Sequence, residues 1–252
     1  MILGCMGEQD VRRPELDVIR TFVVMGLIFF HGSLIFDERD DYYVKNDVTS
    51  VIPTVTAGLA VVWAMPALFV ISGIGAWNSL EKRGALLHIR ERLRRLGIPL
   101  VIATMTIVPV PVWLRERSSG NDLSYWEFLP RFFLVGLDFS DFPFILDGRY
   151  FETGHLWFVV LLVTFSLGLA VLWPLLGFMR AAWVSQHWAL RTLGVMPAVL
   201  LAAITAFAGM EEDFAGWSRW AYLVFFLCGV VIASDGAIRP RMRRMSPVAA
   251  VA

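Results

Sequence analysis

Residues 16–36 read LDVIRTFVVMGLIFFHGSLIF, 21 residues in which Asp17, Arg20 and His31 are the only ionisable side chains. A helix of that length covers about 30 Å, the thickness of a bilayer's hydrocarbon layer. It is too long for the apolar core of a signal peptide and shows no small-residue cleavage pattern, so it reads as a retained span. Cys5, upstream, follows neither a charged nor an apolar stretch, which excludes a lipoprotein signal and leaves the first residues as a cytoplasmic tail.

Five further segments come near the same length and apolarity: Thr54–Trp77, Gly97–Leu114, His155–Phe178, Thr192–Gly209 and Trp217–Ala233. Their apolar runs lack the alternation of barrel strands, so the expected fold is all-α, a polytopic bundle of six transmembrane helices. Composition agrees. Of 252 residues 57% are hydrophobic and 17% charged, with mean hydropathy +0.64, more apolar surface than a soluble domain of this size covers. Net charge zero excludes a basic nucleic-acid binder, and two cysteines make neither a disulfide framework nor a Cys-based zinc site. No internal repeat divides residues 1–252, which are expected to form one membrane domain.

Lys and Arg in the connections set the expected orientation. Lys82, Arg83, Arg90, Arg92, Arg94 and Arg95 follow the second span, and Arg239, Arg241, Arg243 and Arg244 follow the sixth; both stretches read as cytoplasmic. The connection 37–53 has only Arg39 and Lys45 among five acids, and 209–217 has acids alone, so these face outward. Both termini are therefore expected inside, with a long outer connection over 115–154. Within it Tyr125–Leu137, broken by Pro130 and Arg131, is too short to span and predicts a re-entrant or interfacial helix. The last residues, MSPVAAVA, look like the start of another helix, so the chain is expected to be C-terminally truncated.

Ionisable groups inside a span are expensive to bury and hence functional candidates. Arg20 and His31 are eleven residues apart, which places them about 20° apart around the helix and about 16 Å apart along it. Asp17, Val24 and Leu27 complete the expected stripe. A cation then lies at the inner level and a titratable base at the outer one, where neutral imidazole suits removal of a hydroxyl proton. In the plainer reading, Arg20 snorkels to headgroups beside Asp17. Arg92 and Arg95, three apart, share an expected helix face, and guanidinium matches phosphate bidentately; topology signalling or anionic lipid is the alternative for that cluster.

In the second span, Pro66 bends the helix, Gly73 and Gly75 allow close approach, and Ser72 is expected to hydrogen-bond a carbonyl or neighbouring helix. His155 and Trp157 open the fourth span on the side of His31. The four histidines, His31, His88, His155 and His187, show no metal-ligand spacing, and no phosphate-binding G-x-x-x-x-G-K-[ST] loop occurs, so neither a metal nor a bound cofactor is expected.

Four motifs in order, Leu16-Asp17-x-x-Arg20 with His31, Phe69-Val70-Ile71-Ser72-Gly73, Arg92-x-x-Arg95-Leu96-x-Ile98-Pro99 and Gly154-His155-Leu156-Trp157-Phe158, resemble the bacterial acyltransferase 3 family of membrane O-acyltransferases. The resemblance runs from about Glu15 to about Asp235. It implies transfer of an acyl group such as acetyl or succinyl from cytoplasmic acyl-CoA, as co-substrate, to a hydroxyl of an extracytoplasmic carbohydrate or envelope molecule at the cell membrane. His31 then looks like the catalytic base, Arg20 its motif companion, and Arg92 with Arg95 the site for the CoA phosphates. Asp17, Ser72, His155 and Trp157 are supporting candidates, and Glu152 is a candidate carboxylate by its closeness to His155. The family's paired-glutamate variant is not matched, and its members have more spans than six. A transporter or lipid-handling protein with an Arg20/His31-lined path, or an inactive remnant, are the competing readings; missing repeat symmetry weighs against the transporter.

Overall fold

Where lipid excludes water, a chain must satisfy its own backbone hydrogen bonds, and apolar runs do so as helices. The computed structural model describes residues 14–38, 43, 45–183 and 217–234, and they follow that rule. Helix α1 (Pro14–Ser33) runs into a 3₁₀ turn at Leu34–Phe36, and α2 spans Val51–Arg83. Next come α3 (Ala85–Arg92), a π turn (Leu93–Gly97), α4 (Ile98–Thr106) and α5 (Pro109–Ser118). A connecting module contains α6 (Tyr125–Phe132) and the strands β1 (Gly136–Leu137) and β2 (Leu146–Asp147), antiparallel with Gly136 opposite Asp147. A 3₁₀ turn at Gly154–Leu156 leads into α7 (Trp157–Trp183), and α8 covers Arg219–Ser234.

Among the described residues four stretches are long and apolar enough to cross a membrane: Asp17–Phe36, Trp63–Arg83, Ala85–Ser118 and Gly154–Leu176. They answer to four of the expected spans. The expected segment Thr192–Gly209 lies outside the described residues, and the last one forms α8, of which the 16 residues Arg219–Ser234 are described.

The third span corrects the sequence reading. The basic stretch after α2 was expected to be a connection, yet the connection is Gly84 alone, with φ +76° and its N–H bonded to Leu80 O. Leu86, Leu87, Ile89, Leu93 and Leu96 keep a helical rhythm through the arginines, and long basic stems lie on an apolar helix while their heads reach polar surroundings. Helix α6 is also shorter than expected. It stops at Phe132, and Pro130 removes a helical N–H in its last turn. Its start is well defined: Glu127 Oε2 accepts from the Ser124 N–H at 3.0 Å and from its hydroxyl at 2.6 Å.

Helix α2 is the hub of the bundle. Val23 of α1, Phe69, Trp77 and Leu80 of α2, Leu161 of α7 and Phe226 of α8 are buried together. Lipid tails are as apolar as leucine, so these helices are held by close packing rather than by escape from water. Gly73 and Gly229 supply the tightest contact: a Cβ on Gly73 would lie 2.0 Å from Phe226 O, and one on Gly229 1.9 Å from Val70 O. Only hydrogen fits there, and the two backbones touch reciprocally. Between α3 and α7, buried His88 Nε2 and Ser166 Oγ lie 2.9 Å apart. Interhelical bonds of this kind contribute on the order of 0.6–2 kcal/mol.

At the end away from the arginines, a second core gathers Val108 and Val112 under Phe128 and Phe132 of α6. The connection after α1 is folded back by Asn46 N–H to Ile35 O and Ser50 N–H to Phe36 O. Large apolar side chains such as Phe22, Ile28, Ile102 and Leu172 face outward, as lipid-facing positions do.

Candidate active site

Polar side chains converge at two levels of the bundle, and α1 contributes to both. At the basic end Arg20 Nη2 donates to Ile71 O at 3.2 Å, while Nη1 lies 3.9 Å from Asp17 Oδ1. That ion pair is about half exposed on both sides and worth under about 1 kcal/mol. Gly75 is what admits the guanidinium. A Cβ there would sit 3.2 Å from Arg20 Nη2 and 3.8 Å from Arg92 Nη2. The two glycines singled out in α2 therefore do different work, because two residues turn a helix about 200°. Gly73 faces α8 and Gly75 faces the arginines.

Arg20 and Arg92 are thus brought together from α1 and α3. Among the described residues Arg92 has no hydrogen-bonded or ion-paired acid. The Nη2 atoms of Arg20 and Arg92, both near the Gly75 Cβ position, lie within about 7 Å of each other. Two such charges repel by roughly 2 kcal/mol or more at an effective dielectric of about 20, so the arrangement suits an anion that bridges them. Arg95 does not join this pair, contrary to the shared face expected from its spacing. The π turn begins right after Arg92, and its wider loop swings Arg95 away. Its guanidinium is 74% exposed and pairs with Glu91 at 2.8 Å; Glu91 also holds Arg83. These groups line an open groove of about 620 Å³ with Leu87, Arg90 and Arg94.

At the other level His31 sits at the end of α1. Its Nδ1 is 2.7 Å from Leu27 O, and a carbonyl only accepts, so Nδ1 is the donor and, in the neutral ring, Nε2 presents the lone pair. The His155 ring packs edge-on against it, with centroids 4.5 Å apart. Tyr43 in turn packs on His155 at 5.8 Å and donates its hydroxyl to Glu152 Oε1. Arg115 holds Glu152 Oε2 at 2.9 Å and stacks over the Tyr43 ring at 5.1 Å. Gly154, with φ +48°, makes the crossing possible, since a Cβ would lie 2.9 Å from the Tyr43 hydroxyl.

The structure therefore brings His31, His155 and Glu152 together as one group and Arg20 with Arg92 as another. Trp157 packs against the main core, its ring 5.3 Å from that of Tyr222. Ser72 is half-buried and makes no side-chain hydrogen bond among the described residues, unlike the expected bond to a neighbour. Val24 is 52% exposed and leaves the expected stripe, while Val23 takes the inward place. Tyr43 and Arg115 were missed. Both arrive through long-range contacts, for which a single sequence has no signal. Among the described residues no three His, Cys, Asp or Glu side chains gather as metal ligands do.

Between the levels an apolar crevice of about 70 Å³ runs along α1 and α2, bordered by Val23, Gly26, Leu27 and Phe30 with Ala64 and Met65. The crevice touches neither station, since none of Arg20, Arg92, His31 and His155 lines it. The comparison with known families gives the class. The family model of the acyltransferase domain matches residues 13–251, and the chain belongs to the acyltransferase 3 family. Its chemistry is acyl transfer, and its apolar helices make it a membrane protein. No curated protein and no solved structure matches the chain.

Proposed function

We propose that this membrane acyltransferase moves an acetyl- or succinyl-like group from acyl-CoA to a hydroxyl of a carbohydrate or related envelope molecule across the cell membrane. The observation that carries this reading is the division of α1 into a guanidinium station and an imidazole station. The basic end, with Arg20, Arg83 and the arginines of α3, faces the cytoplasm on the positive-inside rule, with both termini on that side. Arg20 and Arg92 bridge the donor's phosphates there, and Arg95 meets the donor from the open groove. The pantetheine arm runs between the two levels along α1, and the apolar crevice, at about 70 Å³, must widen to take it.

At the outer level His31 Nε2 takes the acceptor's hydroxyl proton as the oxygen attacks the thioester carbonyl. The carbon–sulfur bond then breaks, the imidazolium returns its proton to the sulfur, and CoA leaves with a free thiol. His155 orients the base by edge contact, and Glu152 with Arg115 and Tyr43 holds that side chain layer in place. The test is transfer of radiolabelled acetyl from acetyl-CoA to envelope carbohydrate by His31→Gln in membranes. General-base loss lowers the rate by about 10²–10⁴-fold with expression unchanged. Transfer at the parent rate removes His31 from the mechanism.

A further inference from the structure

Helix α3 has only eight residues, enters from the one-residue turn at Gly84 and leaves into the π turn. The one-residue turn at Gly84 leaves the helix's rotation about its own axis to the π turn and to its packing on α2 and α7. Its apolar hold is partial: Ala85 and Ile89 pack on the main core, while Leu86 is 83% and Leu87 56% exposed. Yet the rotation decides whether Arg92 faces Gly75 and Arg20. His88 precedes Arg92 by four residues and so lies on the same face. His88 is fully buried, and Ser166 beneath it on α7 is 1% exposed; their 2.9 Å hydrogen bond is a polar tie at the right place. A neutral imidazole buried there with Nδ1 lacking a partner among the described residues is expensive unless the tie does work.

We propose that His88 and Ser166 are positioning residues for the donor site: their bond sets the azimuth of α3 and holds Arg92 against Arg20 while no anion yet offsets the repulsion between them. The inference rests on the reading of Arg20 and Arg92 as the phosphate site. Loss of the tie lets α3 roll and Arg92 swing outward. The step that suffers is donor binding, because His31 and its surroundings lie at the other level and are untouched.

The experiment titrates CoA into the purified full chain in lipid nanodiscs, and measures KM for acetyl-CoA and kcat, for parent, Ser166→Ala, His88→Leu, His88→Gln and Arg92→Ala. Ser166→Ala and His88→Leu are expected to weaken CoA binding and raise KM about tenfold with kcat within about twofold. His88→Gln, whose amide reaches the place of Nε2, restores binding. A loss of kcat at unchanged KM, or failure of His88→Gln to restore what His88→Leu loses, overturns the positioning role. If Arg92→Ala loses CoA while Ser166→Ala binds like the parent, the donor site stands and this inference alone fails. If Arg92→Ala also binds like the parent, the phosphate site fails first. Thermal unfolding of each variant in the same nanodiscs identifies a protein that has merely come apart, and the Gln variant then decides.

Discussion

Replacing Gly73 by alanine places a methyl group where the backbone of α8 already is. The Cβ would lie 2.0 Å from Phe226 O, and an ordinary contact needs about 3.4 Å, so α8 must retreat by more than 1 Å along that line. A gap of 0.5–1 Å already forfeits a quarter to a half of the dispersion attraction between facing atoms. The reciprocal contact of Gly229 with Val70 O opens as well. Overpacking at about 1–3 kcal/mol and the loss of two close Cα–H···O contacts at about 0.5–1 kcal/mol each lead to destabilisation of about 2–5 kcal/mol. Unfolding followed by circular dichroism in mixed micelles of increasing SDS content measures it. Gly73→Ala/Gly229→Ala should lose less than the sum of the single variants, because the first methyl has already parted the helices. Gly75→Ala, two residues along the same helix, meets only the mobile ends of Arg20 and Arg92 and should unfold close to the parent. A Gly73→Ala protein within about 0.5 kcal/mol of the parent would refute the packing argument.

Three further outcomes are expected. Arg92→Ala should weaken CoA binding about tenfold or more, and Arg95→Ala only about twofold, since Arg95 is already paired with Glu91; equal effects by titration calorimetry contradict the division between them. Glu152→Gln keeps a partner for Tyr43 but removes the charge opposite Arg115, and should lower kcat several-fold while leaving CoA affinity intact; a changed affinity would mean that the two levels are coupled. The Ser124 hydroxyl and N–H hold the Glu127 carboxyl below the usual glutamate range. Its capping contribution is therefore complete above the unfolded carboxyl pKa of about 4.3 and is lost as pH falls through the lower folded value. An NMR titration of the Glu127 carboxyl carbon with its midpoint at or above that ordinary value would contradict the geometry.

Much of this architecture was legible in the residues, because burial in lipid leaves an unbroken apolar run as its mark. The pair Arg20 and His31 could be read as a two-level feature of α1 from helical periodicity alone. The stretch from Lys82 to Arg95 misled because charge density suggests a connection, whereas Gly84, a glycine between a basic helix end and a new apolar rhythm, was the better sign of the turn. The separation of Arg92 from Arg95 was invisible: spacing three apart means one face only if the turn between them is α-helical. Tyr43, Arg115, and the His88–Ser166 tie depend on partners far along the chain, 109, 37 and 78 residues away. Local pattern carries no trace of such meetings.

The π turn at Leu93–Gly97 makes the third span a rod with a joint. It holds one more residue per hydrogen-bonded loop than the helix on either side, and each residue is worth about 100° of rotation. Deleting one residue there would restore a uniform screw and swing the arginines of α3 by about that angle, while Arg115 at the far end kept its grip on Glu152. The basic half of the rod can therefore be re-aimed in sequence without disturbing the other half. On the function proposed above, the choice of donor and the choice of acceptor are then free to drift independently, with the joint absorbing the difference.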